Sequence, residues 1–168
     1  MMTNHAKLMQ FFSVAKSVTG RKKLQKMIYI LQKCNVPFEE KYQFHFYGPY
    51  SEELTLRVEE LCNLGFIQEE KEEKKSFHQY HYQLTEDGKT FLHQFSTDMP
   101  DLTDRVDLLN QQSSRFLELV STMLYFENLP KQAVEEKIHT VKPKQNYSGE
   151  EIAEAWEFIQ TLRGIPSA

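Results

Sequence analysis

The chain has 168 residues, 40% of them hydrophobic, with 20 Lys and Arg against 24 Asp and Glu and a formal charge of −4. That length suits one domain, or one small domain with a helical appendage; 12 Phe, 8 Tyr and one Trp exclude a disordered chain, because they supply a packed core. No apolar run reaches the roughly 20 residues of a membrane span, and Met1-Met2-Thr3-Asn4-His5 lacks the basic and apolar regions of a signal peptide, so a cytoplasmic protein is expected.

His5–Ser17 carries Leu8, Met9, Phe11, Phe12 and Ala15 at helical spacing, and Val18-Thr19-Gly20 interrupts it. Arg21–Cys34 resumes the pattern with Leu24, Met27, Ile28, Ile30 and Leu31. Its first turn is basic, against the preference of the helix dipole for anions at that end. Tyr42–Tyr47 alternates as a half-buried strand, with Tyr42, Phe44 and Phe46 on one face. Tyr47, Gly48, Pro49 and Tyr50 are predicted to form a rigid turn, since Gly48 can take a positive φ and Pro49 fixes its own. Ser51 is an N-cap for a helix reaching Leu64, with Leu54, Val58, Leu61 and Cys62 inward and Gly65 as its stop. Leu54, Val58 and Leu61 are expected to meet Leu24 and Ile28. Phe66–Glu70 and Phe77–Leu84 read as strands around a charged tip, and Thr85 caps a helix running through Phe91, Leu92 and Phe95.

Past a polar connector at Thr97–Asp101, three helical patterns follow. Leu102, Val106, Leu109, Ser113, Phe116, Leu117 and Val120 make one stripe, and Pro130–Val141 a second around Val134 and Ile138. Ser148–Arg163 is the third, opened by the capping box of Ser148 and Glu151, with Ile152, Ala155, Trp156, Ile159 and Leu162 inward. The fold class expected is mainly α (α+β). A winged-helix-like domain with a small antiparallel sheet spans 5–96, and a three-helix C-terminal extension at 97–168 packs on it or buries its stripes in a homodimer.

Residues 1–33 hold seven bases and no acid, whereas the other 135 hold 13 bases and 24 acids. Such asymmetry points either to an anionic partner or to internal pairing with the acidic body. Arg21, Lys22, Lys23 and Lys26 are the candidate binding patch, because a helix N-terminus and a cluster of bases coincide there. A catalytic or metal constellation is not apparent. His78 and His81 are three apart in a predicted strand and face opposite ways, and Cys34 and Cys62 lie 28 residues apart with no companion cysteine, so they read as reduced core thiols. Six scattered glycines build no phosphate-cradling loop, and no G-x-S-x-G occurs. No catalytic residue, metal or other cofactor is therefore expected.

A DNA-reading helix-turn-helix joins its helices by three or four residues. Here 16 residues, including a strand, separate Cys34 from Ser51. The helix from Ser51 carries Glu52, Glu53, Glu59 and Glu60 against Arg57, and the hairpin has Glu69, Glu70, Glu72 and Glu73 against Lys71, Lys74 and Lys75. Both surfaces that ordinarily neutralise phosphates are acidic.

Gly20-Arg21-Lys22-Lys23-Leu24-Gln25-Lys26-Met27-Ile28-Tyr29, Phe46-Tyr47-Gly48-Pro49-Tyr50-Ser51 and Leu64-Gly65-Phe66-Ile67 resemble the YwgA-type proteins of Bacillus-like bacteria over nearly the whole chain. That resemblance implies a fold and a bacterial cytosolic setting and brings no activity with it. More loosely, residues 5–65 and the helix around Trp156 are similar to the Panacea domain of SocA-like antitoxins. The Panacea likeness implies a helical unit with winged-helix character that acts by protein contact, with no catalytic residues to carry over. Panacea domains typically have a Trp-rich or aromatic strand before the Gly-Pro turn, where this chain has Phe44-His45-Phe46-Tyr47. The function expected is a non-enzymatic protein-binding module, antitoxin-like or adaptor-like, that touches no membrane. The alternative is a DNA-binding regulator that uses the basic N-terminal helices.

Overall fold

The computed structural model describes residues 2–46, 48–73, 78–95 and 97–166. It is mainly α-helical with two small antiparallel sheets. The order is α1 (Thr3–Ala15), β1 (Val18–Thr19), α2 (Arg21–Lys33), β2 (Gln43–His45), β3 (Gly48–Tyr50), α3 (Glu52–Asn63), β4 (Ile67–Glu73), β5 (His78–Leu84) and α4 (Glu86–His93). Then come α5 (Thr103–Asn110), α6 (Ser114–Tyr125), α7 (Lys131–Val141), a 3-10 turn at Pro143–Gln145 and α8 (Gly149–Gly164).

The interruption at Val18-Thr19 is itself a strand. Val18 pairs with Tyr82 and Thr19 with His81, giving a three-stranded sheet in the order β1-β5-β4. Val18 is fully buried, and the Gly20 N–H donates to the Tyr80 carbonyl at 2.7 Å. Gly20 takes φ 101° there, so α2 starts hard against the sheet. The second sheet is the hairpin β2–β3, with Gln43 opposite Tyr50 and His45 opposite Gly48. This corrects the expected turn. Gly48, Pro49 and Tyr50 are the returning strand, which begins after β2 has ended at His45; Tyr47 lies outside the described residues, as do Lys74 and Lys75. Gly48 does take a positive φ of 94°, and its backbone lies against Thr122 and Glu118 of α6. Pro49 fits a two-stranded ribbon because each strand there is an edge.

Local signals place the helices as their sequences predict. Ser51 Oγ accepts from the Leu54 N–H, Thr85 Oγ1 accepts from the Gly88 N–H, and Ser148 with Glu151 makes the full capping box. Gly88 also lets α4 approach β4, since a Cβ there would collide with the Phe66 carbonyl oxygen. The first C-terminal stripe departs from its prediction. Ser113, placed in the stripe, instead caps a new helix by accepting from the Phe116 N–H, so the extension has four α-helices among the described residues. A serine mid-pattern competes for backbone donors and favours a cap over a helix interior.

One core unites the chain. Leu8, Phe11, Met27, Ile28, Leu54 and Leu61 from the first half share it with Leu102, Val106, Leu117, Val120 and Ile159 from the second. α6 lies along α2, which also packs on β1, β3 and α5, so α2 is covered on more than one side. Every residue from Leu24 to Leu31 is buried in consequence. Leu54, Val58 and Leu61 face that core with Leu24 and Ile28. No helix among the described residues is long and apolar enough to cross a membrane.

Candidate functional site: a cleft over the second helix

α2, α3 and the β2–β3 hairpin enclose a cleft of about 540 Å³. Leu24, Pro49, Leu54 and Val58 give it apolar walls, while Arg21, Lys22 and Lys26 bring positive charge and Glu59 and Glu69 negative. Phe46 stands beside it, 78% exposed at the tip of the hairpin. Three of the four bases of the candidate patch, Arg21, Lys22 and Lys26, therefore meet the Gly48–Tyr50 segment in one place, although the two were read separately from the sequence.

The wall between α2 and α3 is held by Gln25. Its Oε1 accepts from the Ser51 N–H at 2.8 Å, and its Nε2 donates to the Ser51 carbonyl at 2.9 Å and to Thr55 Oγ1 at 3.0 Å. Both backbone groups of the cap residue are thus read by one buried amide, and the Tyr50 hydroxyl joins them at 2.9 Å from Thr55 Oγ1. Tyr42 Oη donates to the Gln25 carbonyl at 3.1 Å and stacks edge-on against Tyr29, which fixes the far strand of the hairpin.

The four candidate bases separate. The Arg21 guanidinium lies 3.8 Å over the Tyr80 ring and donates to Tyr82 Oη at 3.1 Å and Glu69 at 3.3 Å. Lys22 is exposed at the rim. Lys23 turns away to donate to the Asn110 carbonyl at 2.6 Å, and burial lowers its pKa. Lys26 is 3% exposed, lines the cleft, and makes no hydrogen bond or ion pair among the described residues. Burial pulls its pKa down to about 8; Glu118 opposes that shift, and Lys142 and Lys22 add to it.

Behind Lys26 is a closed network. Lys142 Nζ donates to Glu118 at 3.2 Å and to the Phe46 carbonyl, and Tyr147 Oη donates to the other Glu118 oxygen at 3.3 Å. Both ends of the ion pair are buried. The remaining N-terminal bases do not make a basic face: Lys7 is buried and donates to the Pro37 carbonyl at 2.8 Å, Lys33 lies over Tyr29, and Lys16 alone of the three is exposed.

On α3, Arg57 is engaged by Glu40, whose carboxylate is buried, and by Glu53 at 3.9 Å. His81 bridges Thr19 and Glu72 at 3.0 and 2.5 Å. No group of three or more His, Cys, Asp or Glu able to hold a metal gathers among the described residues. Cys34 and Cys62 are free, and burial raises both thiol pKa values, which disfavours the thiolate.

No protein-family model matches the chain. It is 56% identical over 165 residues to a protein of Bacillus subtilis (strain 168) described as uncharacterized protein YwgA, covering 98% of this chain and 99% of that one. The chain belongs to the YwgA family. In this YwgA-family chain the sequence singled out Lys26 as one base of four, while its isolation, its neighbours Glu118 and Lys142, and the role of Gln25 escaped notice. A signal existed: Gln25 and Lys26 are two of the three polar side chains in the run Leu24–Gln32, otherwise Leu, Met, Ile and Tyr. A run that apolar belongs to a helix covered on more than one side.

Proposed function

We propose that the chain is a non-enzymatic protein-binding module, antitoxin-like or adaptor-like, that acts in the bacterial cytoplasm and receives its partner in the cleft over α2. The observation that carries this reading is the cleft itself, with apolar walls, positive charge along α2 and the exposed Phe46 ring at its edge. A large exposed aromatic beside an apolar recess is the usual composition of a contact anchor. The arrangement helix–strand–helix–helix–strand–strand with sheet order β1-β5-β4 supports a winged-helix unit, interrupted by the β2–β3 hairpin. Two free cysteines, Cys34 buried and Cys62 half-buried, suit a reducing compartment.

Duplex DNA is the second reading, favoured by the three bases in the first turn of α2. Against it, Arg21 and Lys23 are already engaged, Lys26 is buried, and Arg57 on α3 is neutralised by Glu40 and Glu53. The test compares the wild type with a Lys22→Glu, Phe46→Ser double variant, both sites being exposed and the fold checked by circular dichroism. Stoichiometric co-purification of one protein, lost in the variant, is the expected result. Salt-sensitive duplex binding with a slope near −0.9 per phosphate contact, abolished by the same variant, would replace the protein-binding reading with the DNA reading.

A further inference from the structure

We propose that the cleft over α2 is a carboxylate-binding site: the Lys26 ammonium receives the acid group, and Leu24, Pro49, Leu54 and Val58 hold an adjoining apolar body. Lys26 is almost fully buried yet makes no hydrogen bond or ion pair among the described residues. A buried ammonium ordinarily has partners, because its desolvation is otherwise uncompensated. Its neighbours do not provide one. Glu118 is occupied on one oxygen by Lys142 and on the other by Tyr147, so Lys26, Lys142 and Glu118 together leave one positive charge in excess at the base of the cleft.

The composition of the cleft selects the ligand. The apolar walls lower the local dielectric and strengthen an ion pair formed on Lys26. Glu59 and Glu69 line the same space, and Arg21 is already paired with Glu69. Lys26 is the one buried ammonium of the cleft, with Lys22 out at the rim, and two carboxylates beside them suit a monoanion and oppose a phosphate dianion. A lysine also binds as a point charge, without the planar fork with which arginine holds phosphate. In the protein-binding reading above, on which this choice of source rests, the ligand is a partner segment that sets one carboxylate among apolar side chains.

The site is testable without the partner, with hexanoate as the probe and hexanol as its uncharged counterpart. Binding is followed by calorimetry and by the 13C shift of the Lys26 ε-carbon, which reads the ammonium directly in the wild-type protein. Hexanoate should move that signal and bind more tightly than hexanol, and Lys26→Met should weaken hexanoate at least about tenfold while leaving hexanol unchanged. Equal binding of hexanoate and hexanol, or a Lys26 signal indifferent to hexanoate, would overturn the assignment even if the variant failed to fold. Lys26-dependent hexanoate binding in a protein that captures no partner would leave the site standing, with a small carboxylate as its ligand, and remove the protein-binding reading. A partner captured equally by wild type and Lys26→Met, with no hexanoate response, would do the reverse.

Discussion

Lys26 and Gly48 show how single residues set the cleft at the expense of stability. With its pKa at about 8 in the folded chain and 10.5 as the ordinary lysine value, the unfolded chain holds a proton in between that the folded chain has lost. Stability therefore rises with pH across that window, and at pH 7 the charged ammonium is a net penalty. Lys26→Met, an apolar side chain of similar length, should stabilise the protein by about 1–3 kcal/mol at pH 7. Its advantage should shrink as pH passes from about 8 to 10.5. Urea unfolding of both proteins at pH 6.5, 8 and 10 checks this, because groups common to both cancel in the difference; a variant less stable at pH 7 would refute the penalty. Gly48 presents the opposite kind of constraint. Its surroundings leave a Cβ in ordinary contact with Thr122 Oγ1 at 3.6 Å, but φ 94° is strained for any L side chain. Gly48→Ala should cost about 1–2 kcal/mol, read as a lowered urea midpoint with unchanged slope.

Among the elements, α3 was the most legible and the hairpin before it the least. Ser51, the two glutamates after it, the Leu54–Val58–Leu61 stripe and Gly65 are all local signals, and each acts within its own turn of chain. Leu61 is fully buried, so Leu61→Ala should cost about 2–5 kcal/mol; a loss below about 1 kcal/mol in chemical unfolding would mean that α3 does not belong to the core. β1 was not legible because two residues carry no periodicity, and only the distant partners Tyr82 and His81 make them a strand. Gly48-Pro49 signalled a reversal, yet pairing with His45 and Phe44 and the support of α6 draw those residues into a ribbon and move the reversal back toward Phe46. The split between α5 and α6 hid for a related reason. Ser113 keeps the helical spacing of its neighbours, and its hydroxyl, not its hydrophobicity, decides that a new helix begins.

At the scale of the molecule, the cleft is assembled by α6, which the sequence placed in a C-terminal appendage. α6 lies on α2, backs the hairpin through Thr122 and Ser121, and carries Glu118 into the space behind Lys26. No sequence pattern links Glu118 to Lys142, 24 positions later, or to the Phe46 carbonyl, 96 positions from that lysine. The individual bases were readable, but whether each was solvated, paired or buried depended on these long-range contacts. The network also anchors the hairpin. Replacing Lys142 with Met removes the donor to Phe46 and leaves Glu118 buried with Tyr147 as its remaining side-chain donor among the described residues and Lys26 as its nearby cation. Breaking one half of a buried pair in this way should cost about 3–5 kcal/mol, less whatever Lys26 recovers by moving toward Glu118. The double variant Lys142→Met, Glu118→Leu removes both charges and should regain much of the loss, because an apolar pair tolerates the dry site. A double-mutant cycle in urea isolates the coupling. If the two single losses simply add, the pair is not coupled and the hairpin is held by packing alone. If Lys142→Met raises the Lys26 pKa while the double variant does not, Lys26 is the alternative partner of Glu118, and the cleft's excess positive charge depends on Lys142 holding that carboxylate away from it.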